Sequence, residues 1–350
     1  MTSDTTLTAQ GRPTCSPSLT DRDDRRHRLA DSPLERESLI FLLFLPDEDL
    51  GVIAYTWVNG EHQAGAMGLV FGRDDERLAQ FHTEGVPVSP RADFDDWTVG
   101  PMTVRHGAPH QQAHVTFEHD GVSLDYHFEA STPAFSYHDN VGGCPRWLAD
   151  NRLEQSGVVR GTLTIGDRVV PFETTGHRDH SWGNRDWTAI HQYRWVNVQS
   201  GRDIAINFMH GSAVDQQHDL GYVDRDGQQA GITSIAVDVQ RDVEFFSYTS
   251  ARFTLEDDLG RTTVIEAGER SGLAVWPAGG LESHDAGGRC TIDGIPGLIH
   301  VEEGWHPEFV TRRKAMMTQA FDTDEARAAL AVNRDIGSLG GAPAVQADRT

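Results

Sequence analysis

The residues best suited to acid-base chemistry are concentrated in one stretch, GHRDHSWGNRDW, residues 176–187. It combines two Arg-Asp pairs with two histidines and two tryptophans and has almost no aliphatic side chain. A buried carboxyl group can serve as an acid, because desolvation disfavours its charged form. The face of an indole ring attracts a developing cation. Acids next to aromatic rings are therefore suited to carbocation chemistry on an alkene.

The candidate acids are Glu154, Asp179 and Asp186, and Asp179 is the strongest single candidate. The predicted apolar pocket consists of Trp182, Trp187, Tyr193 and Trp195. A purely structural interpretation stands beside this one. Arg-Asp pairs commonly hold a loop through salt bridges, and tryptophans commonly pack two domains together. A clamp between domains that also lines a cleft would satisfy both interpretations.

Two other kinds of site have weaker support. His177, His180 and His191 could supply imidazole ligands, but no helix is predicted to place the first two on one face. We therefore predict no metal site. Ser181 lies beside His180 and Asp179, but adjacent residues rarely converge into a catalytic triad, and a G-x-S-x-G elbow is missing. Nucleotide-binding glycine motifs are missing as well.

The composition limits the partners. A formal net charge of -23 and a pI near 5.0 disfavour nucleic acid and anionic membrane surfaces, so a neutral or apolar small molecule is favoured. The longest apolar run, residues 39–45, is too short to span a membrane as a helix. Three widely spaced cysteines and a polar N-terminus predict a cytoplasmic protein. Nothing in the sequence fixes the oligomeric state, and a homo-oligomer stays open.

Short alternating apolar runs separated by Gly, Asp and Asn predict an all-β protein. Hairpins are expected at four places, with turns at Asp120-Gly121, Gly166-Asp167, Ser200-Gly201 and residues 258–260. Helical periodicity is convincing only in residues 322–331. The length suits two consecutive β-barrel or sandwich domains with a short C-terminal helix.

The predicted domain organisation has five parts, and ligand clefts favour the junction between domains. These parts are a disordered N-terminal arm (1–33), a first β domain (34–170), a junction that carries the motif (171–187), a second β domain with the terminal helix (188–334) and a flexible tail (335–350).

The motif of residues 176–187, preceded by Leu153-Glu-Gln-Ser-Gly157 and the strand 161–165, resembles the carotenoid 1,2-hydratase (hydroxyneurosporene synthase) superfamily. The relatives of that family include kievitone hydratase, tocopherol-cyclase-like proteins and fungal lipocalin-like Diels-Alderases. The segment 294–305, with Glu302 and Glu303, resembles the family's closing strand. The chain departs from the expected pattern at Leu153, where an aromatic residue is common.

The resemblance implies two lipocalin-like β domains and water addition to an isoprenoid double bond without a cofactor. Asp179, His180 and Arg185 match the central motif, together with Trp182, and Glu154 matches the upstream acid. Asp179 or Glu154 would donate the proton, and the other carboxylate or His180 would orient water. His177 and Arg185 join the predicted substrate-binding residues.

The leading hypothesis is therefore a hydro-lyase, a hydratase or dehydratase that acts on a terpenoid or prenylated compound. A cyclase that folds a polyene in the same cavity is the second hypothesis. A lipocalin-like carrier of hydrophobic molecules, without chemistry, is the third.

Overall fold

In the computed structural model of the chain, residues 7–8, 11–319 and 332–334 are described. These residues form two rolled antiparallel sheets and one short α-helix near the C-terminus. The predicted all-β class, with two consecutive barrel-like units and a C-terminal helix, is confirmed.

The first sheet is rolled into an incomplete barrel. Its strand order is β4-β3-β2-β1-β11-β10-β8-β7-β6-β5, and β9 pairs with β10. The strands are β1 (Glu35–Leu45), β2 (Leu50–Asn59), β3 (Gln63–Phe71), β4 (Arg77–Pro87), β5 (Trp97–Val99), β6 (Met102–His106), β7 (Gln112–His119), β8 (Val122–Ala130), β9 (Phe135–Ser136), β10 (Asn151–Ile165) and β11 (Arg168–Asn184).

The second sheet closes on itself, because β14 pairs with both β13 and β15. A closed barrel leaves no free strand edges among its members. The strands are β12 (Ile190–Ser200), β13 (Ile204–Ala213), β14 (Gln216–Arg225), β15 (Gln228–Arg241), β16 (Tyr248–Asp257), β17 (Thr262–Ala278), β18 (Leu281–Ile292), β19 (Ile295–Trp305) and the short β20 (Val332–Arg334), which pairs with β15.

All four predicted hairpins are present, as β7-β8, β10-β11, β12-β13 and β16-β17. At the first of them Asp120 and Gly121 both have positive φ angles, 48° and 76°. A two-residue turn of this kind matches the right-handed twist of the flanking strands, and Asp-Gly adopts it at low cost.

The helix α1 spans Pro307–Gln319, a segment that the sequence analysis assigned to the end of the strand region. Proline is favoured in the first turn of a helix, and Glu308 places an acidic side chain at the positive end of the helix dipole. The predicted helix at 322–331 and the predicted tail at 335–350 lie outside the described residues.

Three large clusters of apolar side chains form most of the core. One cluster fills the first barrel, a second fills the second barrel, and a third lies between the two sheets. We call this third layer the seam. In it Phe44 of β1 stacks on His300 of β19, with ring centroids 4.8 Å apart. Gly287 of β18 leaves room for Phe44, since a Cβ at this position would lie 1.9 Å from the ring.

Strand β1 shows which residues face each layer. Leu39, Phe41 and Leu43 belong to the core of the first barrel. Ile40, Leu42 and Phe44 belong to the seam. Successive side chains of a strand point to opposite faces, so both faces of β1 are buried. The cross-strand partners of these residues on β11 must follow the same alternation.

Residues 11–33 differ from the predicted disordered arm. Asp24 and Arg26 are buried, and Asp24 forms an ion pair with Arg178 of the first barrel at 2.9 Å. Asp24 also accepts a hydrogen bond from the backbone N–H of His110. Burial opposes the charge, but Arg178 and two histidines hold the pKa of Asp24 well below its usual value. Specific ion pairs order this segment, and composition alone does not reveal them.

Replacement of Asp24 tests this anchor. Asp24→Asn leaves the buried guanidinium of Arg178 without its charge partner, so we expect a loss of about 3 to 5 kcal/mol in the free energy of unfolding. Asp95→Asn is the matched control, because Asp95 is more than half exposed in its ion pair with Arg25. It should cost less than about 1 kcal/mol. Urea unfolding of both variants measures the difference, and equal losses would contradict the anchoring role.

The change of sheet falls between Asn184 and Ile190, within a few residues of the predicted junction. The motif itself, however, lies mostly in strand β11 of the first sheet and not in a connecting loop. In the described part of the chain, no helix has the length and apolar character needed to cross a membrane.

Candidate active site

The motif strand β11 distributes its side chains over two different environments. Asp179 pairs with Ile40 and His177 with Leu42, so both face the seam. Arg178 and His180 point the other way, into the first barrel. Because the period of a strand is two, one motif supplies one set of polar groups to the seam and another to the barrel.

A cavity of about 370 Å³ opens at the seam. Its volume lies within the usual range for small-molecule sites. Its walls combine aromatic rings with charged groups from both sheets. The residues of these walls include Arg36, Ser38, Tyr55, Trp57, Arg152, Asp179, Arg185, Trp187, Tyr193, Trp195, Trp276 and Glu302. A wider groove of about 810 Å³, lined by Pro46, Thr174 and Pro296 among others, contains none of the predicted site residues.

Arg152 lies between two carboxyl groups of the first sheet. Its Nε is 2.5 Å from Glu154 Oε1, and its Nη2 is 2.5 Å from Asp179 Oδ2. Glu154 and Asp179 are directly opposite each other on β10 and β11. One guanidinium cannot neutralise two carboxylates, and like charges opposite each other on paired strands repel. One of the two carboxyls is therefore favoured to hold a proton.

The hydrogen-bond partners indicate which carboxyl holds it. Glu154 accepts a hydrogen bond from Trp195 Nε1 at 3.0 Å and contacts His177 Nε2 at 2.7 Å, besides Arg152. Although burial acts in the opposite direction, Arg152 and His177 lower the pKa of Glu154. Asp179 Oδ1, by contrast, is buried and lacks a hydrogen-bond partner. Burial raises the pKa of Asp179 to about 7. The charge of Arg152 opposes this increase, and the charge of Glu154 adds to it.

A second carboxyl group faces the cavity from the other sheet. Glu302 of β19 accepts a hydrogen bond from the hydroxyl of Tyr193. Burial and the nearby charge of Asp285 raise the pKa of Glu302 to about 8, and Asp179 contributes in the same direction. Two carboxyls with raised pKa values, one from each sheet, therefore line one cavity.

Each sheet places its cavity-facing carboxyl group opposite a second carboxyl group on the neighbouring strand. Asp285 and Glu302 are directly opposite on β18 and β19, as Glu154 and Asp179 are on β10 and β11. Asp285 is held by Trp276 Nε1 at 2.5 Å, Ser283 Oγ at 3.0 Å and His300 Nε2 at 2.9 Å. In each pair, one carboxyl has several polar partners and the other faces the cavity with a raised pKa.

Five of the nine predicted site residues line this cavity. They are Asp179, Arg185, Trp187, Tyr193 and Trp195. Glu154 and His177 lie behind the wall of the cavity. The ring of His177 forms hydrogen bonds with Glu154 through Nε2 and with Ser156 through Nδ1. The structure thus makes Glu154 a buried partner of Arg152 and not a group that faces the cavity.

His180 and Trp182 lie on the opposite face of β11, away from the seam. His180 Nε2 is 2.8 Å from Glu37 Oε1, and Trp182 stacks on His27 at 3.9 Å. His27 in turn contacts Glu37 through its backbone N–H and its ring. These residues hold the N-terminal segment on the first barrel, so the predicted role of His180 in orienting water has no geometric support.

The structure also does not bring together the residues of the possible metal site or of the possible catalytic triad considered from the sequence. His177 and His180 face opposite sides of β11, and His191 is exposed near Asp215. Ser181 bonds to Arg185 and Ser38, not to His180. Two other groups have ligand atoms close enough together for a metal ion. They are the buried His27, Glu37 and His180 and the more exposed His114, Asp125 and His127.

Two main residues of the cavity, Arg152 and Glu302, are not among the predicted site residues. Arg152 is two residues before Glu154 on the same strand face, so strand periodicity could have revealed it. Glu302 and Glu303 are adjacent in an apolar strand, which must send one carboxyl to each face. Glu303 enters the second barrel, where it pairs with Arg194 and Arg241.

Fold and site together define a class of two-barrel β proteins with an acid-bearing aromatic cavity at the seam. The chain belongs to the DUF7064 family, described as a domain of unknown function, whose model matches residues 20–307. No curated protein matches the chain in sequence.

Three solved structures share the fold. Kievitone hydratase from Nectria haematococca has a TM-score of 0.56 at 11% identity, over 87% of this chain and 96% of that one. A putative AttH from Nitrosomonas europaea has a TM-score of 0.55 at 13% identity, over 85% and 98%. CghA, solved with Sch210972, has a TM-score of 0.51 at 13% identity, over 79% and 89%. The predicted relation to kievitone hydratase is confirmed for the fold, and the carotenoid hydratase relation stays a prediction.

Proposed function

We propose that the protein is a hydratase or dehydratase that adds water to, or removes it from, an isoprenoid or prenylated double bond. The observation that carries this proposal is the pair Asp179 and Glu302, two carboxyls with raised pKa values in one aromatic cavity. Hydration of an alkene needs one group that gives a proton and one that takes a proton from water. The reaction involves no change of oxidation state in any cofactor, so we propose that none is used.

The proposed reaction proceeds through a tertiary carbocation. Asp179, held through Oδ2 by Arg152, donates its proton to one alkene carbon. The rings of Trp187 and Trp195 shield the cation on the other carbon. Glu302, positioned by Tyr193, accepts a proton from water as the water oxygen forms its bond to that carbon. Dehydration of a tertiary alcohol follows the same steps in reverse, and exchange with solvent restores the protonation of the pair.

Isotope labelling tests the proposal. Tertiary terpene alcohols and the corresponding alkenes are incubated with the protein in H₂¹⁸O, and products are identified by mass spectrometry. Enzyme-dependent ¹⁸O in the alcohol, absent with Asp179→Asn, is the expected result. Unlabelled alcohol and unchanged alkene across prenylated and terpenoid substrates would contradict the proposal.

A cyclase is the second candidate, because the fold is shared with CghA, solved with Sch210972, as well as with kievitone hydratase. Aromatic residues of both sheets surround the cavity, and such walls could fold a polyene around one acid. The same incubation distinguishes it, since a cyclase forms an isomer of the substrate without ¹⁸O. A carrier would return the ligand unchanged.

The acid-base pair predicts a pH profile. The active form carries one proton on the pair. With the proton on Asp179 it starts hydration, and with the proton on Glu302, whose higher pKa makes this arrangement the more populated one, it starts dehydration. In both directions kcat should fall below the lower apparent pKa, near 7, and above the higher one, near 8. We expect a bell-shaped profile with its maximum between these values. A profile that is flat from pH 6 to pH 9 would contradict a role for the pair, and stopped assays with labelled water across this range measure it.

A further inference from the structure

Two of the three guanidinium groups that line the cavity have no carboxylate partner in the described part of the chain, and Glu84, which also lines it, is exposed and contacts His82. Arg36, Arg152 and Arg185 all line it. Arg152 pairs with Glu154 and Asp179, but among the described residues no carboxylate lies within ion-pair distance of Arg36 or Arg185. An uncompensated cation is costly in a protein interior, where Arg185 is buried and Arg36 is partly buried. They also oppose any cation that develops on a substrate.

Each of the two guanidiniums is held in place by neutral groups. Arg185 is buried and donates to the Leu148 carbonyl oxygen and to the hydroxyls of Ser38 and Ser181. Arg36 lies over the rings of Trp57 and Tyr55, at 4.6 and 5.5 Å, and its buried Nε lacks a hydrogen-bond partner. These contacts fix the positions of the charges without cancelling them.

The two charges lie close to each other. Arg36 and Ser38 are two residues apart on β1 and face the same side of the strand. Arg185 donates to Ser38. Burial lowers the pKa of Arg185, and the nearby charge of Arg36 acts in the same direction. Both act on the buried hydroxyl of Tyr55: burial raises its pKa, but Arg36 and Arg185 lower it below the usual value. The two positive charges therefore lie on the same part of the cavity wall, near Tyr55.

We propose that Arg36 and Arg185 form an anion subsite, and that the ligand of this cavity is an apolar molecule with a carboxylate or an equally acidic oxygen group. The planar guanidinium matches a carboxylate through paired hydrogen bonds. The apolar remainder of the ligand lies against the rings of Trp57, Trp187 and Trp276. A bound anion also neutralises the charges that would oppose a carbocation, and in this respect the inference rests on the proposed function.

Equilibrium binding tests the subsite without any need for turnover. Geranic acid and geraniol share the same hydrocarbon chain and differ in the acid group, and isothermal titration calorimetry at neutral pH gives both dissociation constants. We expect the acid to bind at least about tenfold more tightly than the alcohol. Arg36→Gln should reduce this preference to about two-fold or less, and Arg36→Lys should restore part of it.

Arg160→Gln is the matched control, because Arg160 is exposed on β10, pairs with Glu129 and does not line the cavity. It should keep the full preference for geranic acid. Equal binding of acid and alcohol by the unmodified protein, no binding of either probe, or an unchanged preference in Arg36→Gln would each overturn the subsite. None of these results bears on ¹⁸O incorporation, so failure of the subsite and failure of the proposed hydration are separate outcomes.

Discussion

Asp179→Asn is expected to lower kcat by about a hundred- to ten-thousand-fold, the range typical of a removed general acid. An amide fills the same space as the carboxyl but has no proton of suitable acidity to give. It also removes the charge that repels Glu154, so the fold should be retained. Ligand affinity measured by calorimetry should change little, because the substitution leaves the aromatic walls intact.

His180→Asn is the matched control for this variant, because His180 is the next residue on β11 and faces the opposite side. It removes the contact with Glu37 and should lower stability, while kcat per folded molecule stays within about two-fold. Full activity in Asp179→Asn, or an equal loss of kcat in both variants, would remove Asp179 from the mechanism.

Glu302→Gln is expected to lower kcat by a similar factor, on the order of a hundred-fold or more, because water then has no group to take its proton. The acidic limb of the pH profile should disappear with the base, and the alkaline limb, which then reports only the loss of the Asp179 proton, should move toward pH 7. Steady-state kinetics from pH 6 to pH 9 measure both effects. A normal bell-shaped profile in Glu302→Gln would show that another group takes the proton from water.

Tyr193→Phe provides a milder test of the same carboxyl. The hydroxyl of Tyr193 donates to Glu302, and this hydrogen bond lowers the pKa of Glu302. Its loss should therefore move the alkaline limb to higher pH, while the acidic limb stays where it is. A shift to lower pH would contradict the assigned hydrogen bond.

The sequence predicts the fold class well because alternation and turn residues are local signals. The Asp120-Gly121 hairpin needs only its own residues to be recognised. The motif strand β11 is harder to recognise, because both of its faces are buried and carry polar side chains. Alternation between apolar and polar residues, the usual sign of a strand, is missing from such a segment.

The site could be predicted only in part, because its two carboxyls come from different sheets. Asp179 is found from a dense local motif, whereas Glu302 lies far along the chain and reaches the cavity through the pairing of β12 with β19. The contact between Arg178 and Asp24 could not be predicted from the sequence for the same reason. Their ion pair orders a polar N-terminal segment, and such a long-range contact leaves no local pattern.

The contact of Phe44 with His300 across the seam has a consequence for how substrate range can change. The proposed proton donor belongs to one barrel and the proposed acceptor to the other, so in this mechanism the spacing of the barrels sets the gap that a reacting molecule must bridge. Gly287 and Phe44 act as a spacer that touches neither reactive group. We expect that bulkier or smaller side chains at these positions would change the distance between the barrels, and so the size of the substrate that fits. The two carboxyl groups themselves would stay the same.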